Sequence, residues 1–403
     1  LQLTYRSGRF ARQTGVPSLP GSNIPGFPAA GGSVGAGIPD GSGAYPFGPL
    51  WSHSLDSRIT MADLLRTADL VRVGLAGSLR DYRLQAADGR VLRLSSFRSP
   101  GFARAYGVEL VSGPLKGLLA FLPDFKTESE QAVALPPFLL RKADTRAVPR
   151  EGYRVRDYLV EWLTFWVREF GVDGFRADTV RHVELDTWAA LRRAADQARA
   201  EWSAANPRDP MSGSPFWMVG EVFGHGPQAN VYQDNGFDAL INFAFQGELA
   251  AKASDCLSQA DSGYGEYAGL LQNSHGHNFM SYASSHDTSL FFAEQNNDLT
   301  RQQGLAAALL LSPGAVQIYY GDESARPLGP SGSDPYQGTR SSMNWAAHQQ
   351  PPIAALLEHW RILGQFRARH PAIGAGSHQR LSSQPYAFAR RLGEDRVVIV
   401  QGP

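Results

Sequence analysis

The chain has 403 residues, 43% of them apolar and 19% charged, and 38 Lys and Arg balance 38 Asp and Glu to a formal net charge of zero. That length allows two or three domains, or one barrel with additions, around a core of ordinary size. The charge balance argues against a nucleic-acid binder, which needs a basic surplus, and no run reaches the roughly 18 apolar residues of a membrane span. Cys256 stands alone, which excludes an internal disulfide and a multi-thiolate metal site. Residues 1–20 show no basic start followed by an apolar stretch, so no signal peptide is visible in the sequence.

In chain order, residues 1–50 are rich in Gly, Pro and Ser without apolar periodicity and read as coil. Residues 51–110 hold short apolar runs that predict two or three strands. From about Leu115, helices alternate with short strands. Asp157–Phe170 has apolar residues at helical spacing and Gly171 as a stop, and a second helix is expected over Leu185–Trp202. Strands are expected around Gly174–Ala177, Phe216–Gly220, Ala239–Phe245, Phe279–Ala283 and Ala315–Tyr320. This alternation indicates parallel β/α units. Ile353–His370 reads as an amphipathic helix stopped by Pro371, and Tyr386–Arg391 with Arg396–Gln401 as a hairpin beginning a small β domain.

Three of the strands end in an acid with company. Arg176 and Asp178 stand at i and i+2, so on a strand they share a face and the guanidinium can keep the carboxylate ionised. Glu221 follows Trp217-Met-Val-Gly, and His286-Asp287 follow Tyr282-Ala-Ser-Ser. Asp178 and Glu221 are 43 residues apart, one β/α unit, and Asp287 lies 66 further on, two units. In a parallel barrel all three reach the same rim, where active sites are built. Three acids with an Arg and a His there suit glycoside hydrolysis. Each acid taken singly also reads as a helix cap or a surface residue, as Asp287-Thr could be, and Asp173 and Asp322 flank strands with no evident role. Spacing alone leaves both readings open.

The motifs decide further. GFRADTVRH (Gly174–His182), GEVFG (Gly220–Gly224) and SSHD (Ser284–Asp287) resemble three characteristic stretches of the α-amylase family of glycoside hydrolases. LPDF (Leu122–Phe125) resembles a fourth, and GAVQIYYGDE (Gly314–Glu323) the family's eighth barrel strand and following loop. The resemblance spans roughly 115–403 and is strongest to bacterial periplasmic members. It implies a (β/α)8 TIM barrel with strands four to eight recognisable and the first three missing or replaced. The implied domains are an unassigned region 1–114, a barrel portion 115–372 and a truncated β domain 373–403.

The resemblance also implies roles. Asp178 would be the nucleophile, Glu221 the general acid/base, and Asp287 the acid that grips substrate hydroxyls and stabilises the transition state. Arg176 would orient the nucleophile, and His286 would contact the same sugar. Arg181-His182 stands where the family has Lys-His on the leaving-group side. A structural Ca²⁺ is implied, with Asp124 and the carbonyl of His182 as ligands. The Asp-x-x-x-Asn-His stretch of the family is absent from residues 1–150, and Ser285 replaces a commoner Asn.

The expected activity is retaining hydrolysis of α-1,4-glucosidic bonds in starch or maltodextrins, in a periplasmic or secreted monomer without nucleic-acid or membrane partners. Transglycosylation or isomerisation uses the same acids. Alternatives are a defective, glucan-binding relative lacking the first half of the barrel, or a region 1–114 that is not native sequence. Trp162, Phe165 and Trp166, at helical spacing beside Leu159 and Leu163, read as core rather than a sugar platform, and Tyr319-Tyr320 as a packed strand end. His225 could contact sugar from the rim. His275 and His277 read as a polar loop.

Overall fold

The computed structural model describes residues 52–53, 68–76, 79–86, 91–97, 105–110, 124–140, 147–274, 276–329 and 338–402. The coil expected over residues 1–50, Leu122 and Pro123 of the LPDF motif, and His275 lie outside them. The chain divides into two compact units, one from Leu1–Asp173 with Arg181–Phe216, the other from Gly174–Val180 with Trp217–Pro403.

In the first unit, β1 (Ser52–His53) pairs antiparallel with a later two-residue strand. Next come β2 (Ala68–Ala76), β3 (Leu79–Ala86), β4 (Val91–Phe97) and β5 (Ala105–Leu110), an antiparallel meander in sequence order. The partner of β1 is β6 (Asp124–Phe125), with His53 opposite Asp124. Five described strands, β1 to β5, thus lie in residues 51–110, where two or three are expected. Every described strand before Gly174 is antiparallel, so none of them is one of the parallel strands that begin a β/α barrel.

Two helices complete this unit. In α1 (Val155–Phe170), Val155, Tyr158 and Val167 are buried, each contributing roughly 1.5–3 kcal/mol for a fully buried apolar side chain. Its first turn is closed by Asp157, which accepts the Arg154 N–H at 2.9 Å. Gly171 ends it with φ +66°, donating to the Val167 carbonyl, and a Cβ there would also meet the Trp202 ring at 2.3 Å. Gly is required on both counts. α1 packs on α2 (Leu185–Ala205). From α2 the buried Arg199 donates to the carbonyls of Gly171 and Met211 and pairs with Asp173 at 2.8 Å. Asp173 therefore has a structural task, fixing the turn after α1.

The second unit is organised on a five-stranded parallel sheet. Its strands are β7 (Gly174–Ala177), β8 (Trp217–Gly220), β9 (Ala239–Asn242), β10 (Asn278–Tyr282) and β11 (Ala315–Gln317), adjacent in sequence order. This is a parallel half-barrel, and the five strands are those expected. Alternation along the strands sorts the side chains. Val219, Ala239, Ile241, Met280 and Tyr282 cluster on one face, while Phe279 joins the helical core with Leu305, Leu309, Ile353 and Trp360.

That core is supplied by α3 (Asp261–Asn273), α4 (Leu299–Leu310) and α5 (Pro351–Arg369). Asp298 caps α4, accepting N–H bonds from Thr300 and Arg301. A three-stranded antiparallel sheet follows, β12 (Ser377–Ser383), β13 (Tyr386–Leu392) and β14 (Asp395–Val400), and buries Tyr386, Phe388 and Val397 in the same core. The expected hairpin is β13–β14.

Candidate active site

The three expected acids stand at or a few residues past the carboxyl ends of β7, β8 and β10. The β7–β8 register pairs Ala177 with Gly220, so the next residues, Asp178 and Glu221, emerge side by side. Main-chain bonds extend the ladder past the strands: Glu221 N–H donates to Ala177 O at 2.9 Å and Val180 N–H to Glu221 O at 3.0 Å. Between them Thr179 has φ +46°. A β-branched residue in the left-handed region is strained, by about 1–3 kcal/mol. The strained peptide has a use: the Thr179 N–H donates to Glu221 Oε2 at 3.2 Å.

Arg176 binds both acids, with 2.5 Å to Asp178 Oδ1 and 3.3 Å to Glu221 Oε2. The environments differ sharply, since the Glu221 side chain is 7% exposed and that of Asp178 63%. Burial pushes Glu221 up to about 7, helped by its hydrogen bond to Asp178 and opposed by the Thr179 N–H and Arg176. Burial also works against the charge of Asp178, but the hydrogen bonds from Glu221 and Arg176, with the charges of Arg176 and His286, outweigh it and hold Asp178 below its ordinary value. The two neighbouring carboxyls are thus pushed in opposite directions, Glu221 toward keeping its proton and Asp178 toward losing it.

The third acid is held differently. Asp287 lies on the loop after β10, bonded at 2.9 Å to His286 Nε2 through Oδ2 and at 2.9 Å to Arg340 through Oδ1. Ser285 Oγ accepts the N–H groups of Asp287 and Thr288, fixing the turn. Ser284 Oγ donates to the buried Asp322 at 2.5 Å and accepts from Phe291 N–H. Asp322 in turn accepts the Tyr319 N–H at 3.3 Å. Burial raises its carboxyl to about 7 against these bonds. The acid without an evident role in the sequence thus ties the loop after β10 to the loop after β11.

Known proteins bear on this geometry. Residues 143–332 match the family described as "Alpha amylase, catalytic domain". The chain is 53% identical over 285 residues to the periplasmic α-amylase of Escherichia coli (strain K12), covering 70% of this chain and 40% of that protein. These residues belong to the α-amylase family. A maltogenic α-amylase of Bacillus acidopullulyticus is 28% identical over 235 residues, 57% of this chain and 36% of that protein. The chain therefore spans about two fifths of the length of these relatives. The solved α-amylase of H. orenii superposes with a TM-score of 0.51 over 82% of this chain and 63% of that one, at 17% identity, a likeness of fold.

Of the expected site residues, the structure joins Asp178 and Glu221 through Arg176 and joins Asp287 to His286. Arg181 and His182 fall on the short turn Val180–His182, within the first unit, and are described with it: Arg181 is exposed and His182 half-buried. Asp124 lies on β6 of the same unit. Among the described residues no three or more His, Cys, Asp or Glu come together to hold a metal.

Two expectations need correcting. Trp166 is not core: it is 53% exposed and stacks on Phe170, itself exposed, with ring centroids 5.5 Å apart. Tyr320 is not in a packed strand end either, because β11 stops at Gln317 and Tyr320 is exposed beyond it. His225 bonds its own loop, Nδ1 to Gly226 O. The sequence reading missed Arg340, for which a lone Arg 53 residues past Asp287 gives no signal. It also passed over Phe223, two residues after Glu221, which is 58% exposed with its ring 5.0 Å from Phe243.

Proposed function

We propose that this chain hydrolyses α-1,4-glucosidic bonds of starch and maltodextrins with retention of configuration. The observation that carries the proposal is the Asp178–Glu221 pair, joined by Arg176 and split into an ionised and a protonated carboxyl. Asp178 attacks the anomeric carbon while protonated Glu221 gives its proton to the leaving glycosidic oxygen. Glu221, now a carboxylate, takes a proton from water, and that water attacks the anomeric carbon and releases Asp178. Asp178 and Glu221 emerge from paired neighbouring strands and share Arg176, a close spacing that favours the retaining course over the inverting one, whose carboxyls stand roughly 6.5–9.5 Å apart. Asp287, held by His286 and Arg340, grips sugar hydroxyls, and the exposed Phe223 ring offers a stacking face beside the acid.

The test is release of reducing sugar from soluble starch, with Glu221→Gln as control. The variant is expected to lose about 10³-fold or more, toward the upper end of what a general acid contributes. Equal rates in wild type and variant would remove Glu221 from the mechanism. The name of the Escherichia coli relative supports a periplasmic location for this chain too, checked by cell fractionation. A monomer acting on glucan, without nucleic-acid or membrane partners, is proposed with it, and no helix among the described residues is long and apolar enough to cross a membrane.

Calcium enters the proposal as a weakly held structural ion on Asp124 and the main-chain carbonyl of His182, with no step routed through it. A carboxylate and a carbonyl are the donor types that ion takes, yet two are few beside its usual six to eight. Melting temperature in millimolar calcium against EDTA measures it, with a rise expected only near millimolar ion.

A further inference from the structure

The segment that carries Arg340 is gripped from one side by a single buried guanidinium. Arg326, 2% exposed, donates from Nε to Tyr320 O at 3.0 Å, from one terminal nitrogen to Ser341 O at 3.3 Å and Ser341 Oγ at 2.5 Å, and from the other to Thr339 O at 3.0 Å. Its plane lies over the Tyr320 ring, 4.0 Å from the centroid, and 5.4 Å from that of Tyr319. The two tyrosine hydroxyls add bonds to the same segment, Tyr319 to Thr339 O at 3.0 Å and Tyr320 to Ser341 O at 2.8 Å. The residues on both sides of Arg340 are therefore immobilised, and both lead to the site. Thr339 Oγ1 donates to His286 O at 3.0 Å, and Arg340 bonds Asp287 at 2.9 Å.

The backbone is shaped for this grip. Gly321 has φ +92°, and a Cβ there would meet the Arg326 side chain at 2.4 Å. Only glycine lets the loop after β11 turn back under Arg326. Lysine cannot replace the fork, since its ammonium is a point donor without the planar reach to Tyr320, Thr339 and Ser341 at once.

We propose that Arg326 is a positioning residue for Asp287: by fixing Thr339 and Ser341 it sets Arg340 on the carboxylate and His286 beside it. The inference rests on reading Asp287 as the acid that grips substrate. Its test is a double-mutant cycle on maltooligosaccharide hydrolysis by the full chain, combining Arg326→Met with Arg340→Met. Arg326→Met alone is expected to lower kcat/KM by about tenfold, as much as losing Arg340 itself. In the Arg340→Met background the same change should cost less than about threefold, because the path through Arg340 is already cut. Full additivity, or wild-type kinetics in Arg326→Met, would overturn the proposal.

A second readout does not depend on turnover. Trypsin cleavage after Arg340, followed by mass spectrometry, should be at least about tenfold faster in Arg326→Met, as the carbonyls of Thr339 and Ser341 lose their anchor. Unchanged cleavage rejects the grip even if the hydrolase reading stands. Faster cleavage in a chain whose wild type matches Glu221→Gln rejects the hydrolase reading and keeps the grip.

Discussion

Asp178 and Glu221 each follow the last residue of a strand, whereas Asp287 stands five residues past the end of β10. The first two are aimed by main-chain register: the Ala177–Gly220 pairing and the two ladder bonds beyond it leave their backbones little choice. Asp287 is aimed by side chains, from Ser285 next door and from Arg340, which is 53 residues away in the chain. Parallel pairing can place two acids at a rim with no other help. The third position needs loops that fold onto one another, and here those loops are tied by the Asp322–Ser284 bond and the Arg326 grip.

The sharpest way to break the register-built half is Arg176→Met. It removes two charged contacts, and kcat/KM should fall by about 10²-fold or more. The pH profile sharpens the point. Glu221 must be protonated, so activity falls as pH rises through about 7, and Asp178 must be ionised, so activity falls again below its lowered range. Arg176 lowers both groups, so its loss should move both limbs upward. Stability carries the same signature. Glu221 holds its proton to about pH 7 in the fold but only to about 4.5 unfolded, so its contribution is present below that window and declines across it as pH rises. Asp178 acts oppositely, its contribution being lost as pH falls through its lowered value.

On the side-chain-built half, Arg340→Met should cost about tenfold in kcat/KM, the worth of one charged hydrogen bond, and leave both pH limbs in place. A shift in either limb would show that the two halves are not separable. The smallest effect is expected for Ser285→Ala, which removes the acceptor of two N–H groups: about 1 kcal/mol in denaturant unfolding and a few-fold in rate.

The same division decides what could be read in the sequence. The five parallel strands are apolar runs bounded by Gly and acids, and their order follows from the alternation with helices. Asp178 and Glu221 were legible because each directly follows such a run, and Asp287 because it closes the SSHD stretch a few residues past one. Arg340, Arg326 and Asp322 were not, since nothing local marks a contact made across 13 to 53 residues. β12 escaped because its Ser377–Ser383 stretch is polar and carries almost no apolar alternation, although it pairs with β13 along its length. Pro371 follows the end of the helix before it, as expected, and also opens the next short helix, Pro371–Ala375, where its missing N–H costs nothing. Trp166 obeys helical spacing yet is exposed, because periodicity gives a face and not what covers it.

Thr179 carries a consequence for anyone engineering heat resistance. A glycine there would accept the left-handed backbone without protest, and an asparagine nearly so, each relieving roughly 1 kcal/mol of tension. Yet the freed peptide would hold the proton donor less firmly in its place. A library screened only for survival on heating should therefore collect changes at this position and drift toward slower catalysts, while one screened on turnover should keep the uncomfortable threonine.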